Sequence, residues 1–155
     1  MLNKKSLYRT FQKSLKQISP FLSDKGDLLE VGSYCGFFLD TFTKKYKSWN
    51  YIGIEPSKWA AEYARSQLNI NTRTGTLEDN IKDFSSNYDA VVAWDVLAHL
   101  SDPSAFLTQT NSIMKQNGVF CFSTLDIDNW FPKIMGKHWP LLMEMHLFYY
   151  KTKTT

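Results

Sequence analysis

The feature that most constrains this chain is an alternation between two kinds of segment. Short apolar runs, Asp27-Leu-Leu-Glu-Val31, Tyr51-Ile-Gly-Ile54, Tyr88-Asp-Ala-Val-Val-Ala93 and Gly118-Val-Phe-Cys-Phe-Ser123, are separated by longer stretches of helical spacing at 37–46, 57–68 and 103–114. A strand buried on both faces reads as a continuous apolar run, so the pattern predicts a parallel sheet with helices on both sides. A weaker strand is read at 70–73, and a turn at Ser85-Ser86-Asn87 leads into the third strong run. Right-handed crossovers then leave a doubly wound, Rossmann-like α/β fold with a mostly parallel sheet as the leading topology. At 155 residues the chain suffices for one such domain with a real core. The expected division is an N-terminal helical segment at 1–22, a core at 27–125 and a closing segment at 126–155.

Charge excludes little and adds one detail. Eighteen basic residues stand against 15 acidic ones, too slight an excess for a nucleic-acid surface without a concentrated patch. Lys4, Lys5, Arg9, Lys13 and Lys16 precede every acidic residue and interleave with Leu7, Tyr8, Phe11 and Leu15. That spacing predicts an amphipathic packing helix with a basic outer face. No apolar run approaches the ~20 residues of a membrane span, and a cytoplasmic protein is expected. Cys35 and Cys121 lack metal or disulfide spacing, so two free thiols and no metal site are expected.

In doubly wound sheets, ligands bind where the strands end. The first exit is Glu30-Val-Gly-Ser-Tyr-Cys-Gly36, whose small residues let a ligand approach the backbone. The second carries Glu55, nineteen residues after Gly36, where a carboxylate can accept hydrogen bonds from both hydroxyls of a ribose. The bland alternative is that Glu55 caps the helix beginning near Ser57. A nicotinamide dinucleotide site needs a closer glycine array against its diphosphate. An acid at Glu30 repels that diphosphate and suits a cationic ligand, which points to S-adenosylmethionine, with a dehydrogenase as the weaker alternative.

The runs Leu28 to Leu39, Gly53 to Arg65, Gly75 to Asp79 and Tyr88 to Pro103 occur in an order that resembles the class I S-adenosylmethionine-dependent methyltransferases. The similarity is to the small-molecule branch that includes ubiquinone-biosynthesis-like and sugar-modifying enzymes. It implies that Glu30 acts near the methionine ammonium and that Gly32, Ser33, Tyr34 and Gly36 pass beneath the cofactor. Glu55 would hold the ribose, Pro56 and Ser57 would lie beside the adenine, and Leu77 and Glu78 would line its other edge. Trp94 and Asp95 would close the pocket. The resemblance makes 27–125 the cofactor-binding core and 126–155 the substrate-side or lid segment, with His146 and Tyr149 facing the acceptor.

The chain departs from the family's pattern at Tyr34, where glycine is usual, at Thr76, where an aspartate often reads the adenine amino group, and at Ala98, often acidic. Relatives usually continue past Tyr150 with a helix and an antiparallel hairpin. A C-terminally truncated domain is therefore expected, with residues 118–123 as an exposed edge strand open to self-association.

Methyl transfer needs a base only when the acceptor must lose a proton, and His99 and His146 are the candidates. The aromatic residues Trp130, Phe131, Trp139, Phe148, Tyr149 and Tyr150 either wall an acceptor pocket or simply pack. A second reading stays open at this point: a domain that binds the cofactor without turnover and acts through a protein partner.

Overall fold

The computed structural model describes residues 3–84 and 88–151, so the turn read at 85–87 lies outside the described residues. Five strands, β1 (Gly26–Val31), β2 (Trp49–Glu55), β3 (Thr72–Thr74), β4 (Tyr88–Trp94) and β5 (Met114–Ser123), form one sheet in the order β3-β2-β1-β4-β5. Every pairing is parallel. The order reverses at β1, which pairs β2 on one side and β4 on the other, so the switch point lies where the glycine-containing turn leaves β1.

The doubly buried strands explain their own sequence. On β1, Leu28 joins a core with Phe38, Phe42 and Val92, while its neighbour Leu29 joins a second core with Ile54, Val91 and Phe106. Successive side chains point to opposite faces, so both must be apolar when both faces are covered. Helices α1 (Lys4–Ile18) and α2 (Phe37–Lys45) supply the first face. Helices α4 (Leu77–Asn80) and α5 (Pro103–Ile113) supply the second, through Leu77, Phe106 and Ile113. Helix α3 (Lys58–Leu68) buries Ala60, Ala61 and Ala64, whose small side chains allow close packing.

Local chemistry sets the boundaries. Asn3, Ser57 and Asp102 cap α1, α3 and α5 with side-chain oxygens that accept backbone N–H groups. Asn69, at φ 55°, ends α3 in the left-handed conformation. The basic outer face of α1 is exposed, and its Leu15 and Ile18 are buried.

Several elements differ from the sequence reading. The weak strand lies at 72–74 rather than 70–73, because Ile70 is drawn into the core on the α1 face. β5 starts four residues before Gly118 and shifts register against β4 between Tyr88 and Ala90. Helices α4 and α6 (Trp130–Met135) are additional. Among the described residues β5 pairs only with β4, and no helix is long and apolar enough to cross a membrane.

Candidate functional site

The exits of β1, β2, β3 and β4 converge on two cavities that share Gly32 in their walls. The first, about 230 Å³, lies between the β2 and β3 exits and α5, against Ile54, Pro56, Gly75, Leu77 and Phe106. The second, about 220 Å³, lies under α1, against Phe11, Glu30, Ser33, Tyr34, Trp94 and Asp95. Gly32 separates them because nothing larger fits. Its φ is 70°, and an added Cβ would come within 2.6 Å of Val96 Cγ2.

Backbone hydrogen bonds lock the turn to β2. The N–H groups of Gly32 and Ser33 both donate to the Ile54 carbonyl, at 2.9 and 3.0 Å. Tyr34 has φ 46°, so the tyrosine at the glycine position accepts left-handed strain instead of avoiding it. Its N–H donates to Glu55 Oε2 at 2.8 Å, and the Ser57 N–H donates to Glu55 Oε1 at 2.8 Å. The capping reading of Glu55 is thus seen in the structure. The carboxylate ties the start of α3 to the turn, while each oxygen retains a lone pair for a ligand hydroxyl. Glu55 itself is in the wall of neither cavity.

The second cavity is unusual in its polar atoms. Glu30 Oε2, Ser33 Oγ and Trp94 Nε1 are buried without a hydrogen-bond partner among the described residues. Buried polar groups are almost always paired, and three orphans around one cavity could hold a polar ligand. Glu30 is 2% exposed, and burial, reinforced by the charge of Glu55, pushes its carboxyl well above the ordinary range. A ligand ammonium there would favour the ionised form, which fits the methionine end of S-adenosylmethionine. The apolar wall of the first cavity fits a heterocycle such as adenine.

Other expected residues fall as follows. Leu77 is buried in the wall of the first cavity and Glu78 lies at its exposed rim. Gly36 is the left-handed N-cap of α2, packed against Ala64 and Ile70. Trp94 and Asp95 both line the second cavity, and Asp95 Oδ1 accepts the Ser123 hydroxyl at 2.7 Å. Thr76, read as a departure, caps α4 in a reciprocal capping box with Asp79.

His99 and His146, 47 residues apart in sequence, come together with ring centroids 4.7 Å apart. His99 Nδ1 lies 2.9 Å from the Met145 carbonyl and His146 Nδ1 lies 2.7 Å from the Leu141 carbonyl. A carbonyl only accepts, so each Nδ1 carries the proton and each neutral ring has Nε2 as its basic atom. The segment that brings His146 here is anchored by Leu147 and Phe148 N–H groups donating to the Ala98 carbonyl and by Tyr150 Oη donating to the Leu97 carbonyl. Tyr149 lies beside His146, with its hydroxyl bonded to the backbone of Leu141 and Met143. Neither histidine lines either cavity.

Residues that sequence reasoning misses include Leu7, Thr10 and Phe11 of α1 and Phe106 and Gln109 of α5. Among the described residues no cluster of three or more His, Cys, Asp or Glu side chains could hold a metal. Both cysteines are free thiols.

A methyltransferase-domain family profile matches residues 4–155. A ubiquinone biosynthesis O-methyltransferase of Rhodopseudomonas palustris is 31% identical over 127 residues, covering 79% of this chain and 47% of the relative. The chain thus spans about half the length of the curated relatives it matches. A solved S-adenosylmethionine-dependent methyltransferase of Thermotoga maritima, described as a possible histamine N-methyltransferase, superposes with a TM-score of 0.73 at 21% identity, covering 94% of this chain and 67% of that one. Another, from Archaeoglobus fulgidus, gives 0.75 at 17% identity, covering 95% and 64%. Those two likenesses are of fold.

Proposed function

The chain belongs to the class I S-adenosylmethionine-dependent methyltransferases, and from that premise we propose that it transfers the cofactor's methyl group to a small-molecule acceptor. The observation that carries the reading is the pair of cavities meeting at Gly32, one apolar and one walled by the unpaired Glu30, Ser33 and Trp94 polar atoms. Glu30 and Ser33 would hold the methionine end, Glu55 the ribose, and Ile54, Pro56, Leu77 and Glu78 the adenine.

When bound, the cofactor supplies a methyl group already activated by its sulfonium, so the protein's work is alignment and control of water and protons. Phe11, Tyr34, Phe37 and Trp94 line the second cavity with aromatic surface. We propose residues 126–155 as the acceptor-side segment. For an acceptor that must lose a proton, Nε2 of His99 or His146 would take it, each ring held in the required tautomer through Nδ1.

The outer edge of β5 supports a further part of the reading, self-association through residues 118–123, since Phe122 is exposed there. Sedimentation analysis tests it. Calorimetric titration with S-adenosylhomocysteine, beside Glu55→Ala, tests the cofactor site. Saturable binding lost in the variant supports the reading, and no binding by the folded chain overturns it. Binding without transfer to any acceptor class would favour the alternative, a domain that works through a protein partner.

A further inference from the structure

The second cavity has a one-sided electrostatic character. Its walls carry two acids, Glu30 and Asp95, and four aromatic side chains, Phe11, Tyr34, Phe37 and Trp94, with no lysine or arginine. Aromatic faces are negative, and a desolvated cation gains from facing them.

Within this wall Tyr34 combines a left-handed backbone with a side chain that is not buried. It occupies a left-handed position at φ 46°, which costs an L-residue about 1–2 kcal/mol relative to glycine. Core burial does not offset that strain, since Tyr34 is 43% exposed. The hydrogen bond from its N–H to Glu55 is a backbone bond that glycine would make equally. The ring is nonetheless held in place, 6.5 Å from the indole of Trp59, which is followed at 5.9 Å by Tyr63. Strain kept at a ring that stands in the cavity wall and is 43% exposed points to a ligand-facing role.

We propose that Tyr34 is a specificity-determining residue whose ring favours the positively charged sulfonium of S-adenosylmethionine over the neutral thioether of S-adenosylhomocysteine. The proposal rests on the cofactor reading above and deepens it. Both ligands carry the same ammonium, carboxylate and adenosine, and they differ in the methyl group on sulfur and the positive charge it brings. The acids Glu30 and Asp95 and the aromatic faces all favour that charge, and the part assigned to Tyr34 is read from the change in preference when its ring alone is replaced. The consequence is a site that holds its substrate form more tightly than its spent form and so limits product inhibition.

The test is calorimetric titration of the 155-residue chain with each ligand separately, for the wild type, Tyr34→Phe and Tyr34→Leu. Thermal unfolding establishes that each variant is folded. The wild type is expected to prefer S-adenosylmethionine, Tyr34→Phe to keep the preference, and Tyr34→Leu to lose about threefold to thirtyfold of it. A Tyr34→Leu chain that binds both ligands with the wild-type ratio overturns the proposal, even if both affinities fall together. Loss of the preference in Tyr34→Phe as well also overturns it, since the hydroxyl and not the ring would be responsible. A folded wild type that binds neither ligand overturns the cofactor reading and this proposal with it, whereas binding of S-adenosylhomocysteine with no preference overturns this proposal alone.

Discussion

The backbone N–H of Tyr34 lies 2.8 Å from Glu55 Oε2, so the turn leaving β1 is fastened to the carboxylate that ends β2. The other oxygen of the same carboxylate accepts from Ser57 at the start of α3. Glu55→Gln keeps the shape but gives one end of the group two N–H donors in place of an acceptor. One of the two backbone N–H groups is then opposed by a donor. The variant should lose about 1–3 kcal/mol of stability and bind S-adenosylhomocysteine at least tenfold more weakly. Urea unfolding and calorimetry measure the two effects, and unchanged values in both would refute the role given to this carboxylate.

Glu30 predicts a pH dependence whose sign follows from its raised pKa. The folded chain keeps the Glu30 proton at pH values where the unfolded chain has released it. This contribution to stability is therefore full below the ordinary glutamate value of about 4.3. It is lost as pH rises through the higher folded value. Thermal melts of ligand-free wild type and Glu30→Gln over about pH 4 to 9 isolate it, because other carboxylates cancel in the comparison. The wild type should lose stability relative to the variant as pH rises. A ligand ammonium favours the ionised carboxylate, so S-adenosylhomocysteine affinity should increase over the same interval in the wild type only.

Gly32→Ala combines a left-handed φ with a Cβ placed 2.6 Å from Val96 Cγ2. We expect a loss of more than about 1 kcal/mol together with obstruction of the junction between the cavities. The double variant with Val96→Ala should recover the steric part and leave the conformational part. Equal stability of the wild type and Gly32→Ala in chemical denaturation would contradict this.

Tyr34→Gly should do the reverse, raising stability by roughly 0.5–1 kcal/mol as relief of strain outweighs the added freedom of the unfolded chain. Denaturation midpoints decide it. A destabilised variant would mean that the ring's contact with Trp59 contributes more than its exposure implies.

Both histidines should be in the Nδ1-protonated tautomer when neutral, because each Nδ1 faces a carbonyl. Nitrogen-15 spectra recorded above the histidine range report this directly. A dominant Nε2-protonated form at either ring would break the assignment of Nε2 as the basic atom.

The strand exits were legible in the sequence because doubly buried strands end abruptly in glycine or an acid, as at Val31-Gly32 and Ile54-Glu55. The β1 turn and Glu55 are therefore readable as strand exits from local sequence alone. The walls contributed by helices were not legible in that way. Leu7 and Phe11 share a helical face with Leu15 and Ile18, yet nothing local says that its first turns reach over the β1 exit. Phe106 and Gln109 raise the same difficulty on the other side of the sheet. One local signal was present and overlooked: Thr76 and Asp79 have capping-box spacing, which announces α4. The approach of His146 to His99 depends on the path of a segment with little regular structure, and periodicity carries no information about it.

The segment that carries His146 is fastened largely through main-chain groups. Ala98 receives the N–H groups of Leu147 and Phe148, and Leu125 and Ile127 exchange backbone bonds with Tyr150. Such bonds are indifferent to side-chain identity, apart from proline at a donor position. Residues between 140 and 148 other than His146 can consequently drift in size and polarity while the loop keeps its attachment. Over generations, mutation can retune this stretch without renegotiating the sheet beneath it, and variation in a lineage is expected to accumulate there first.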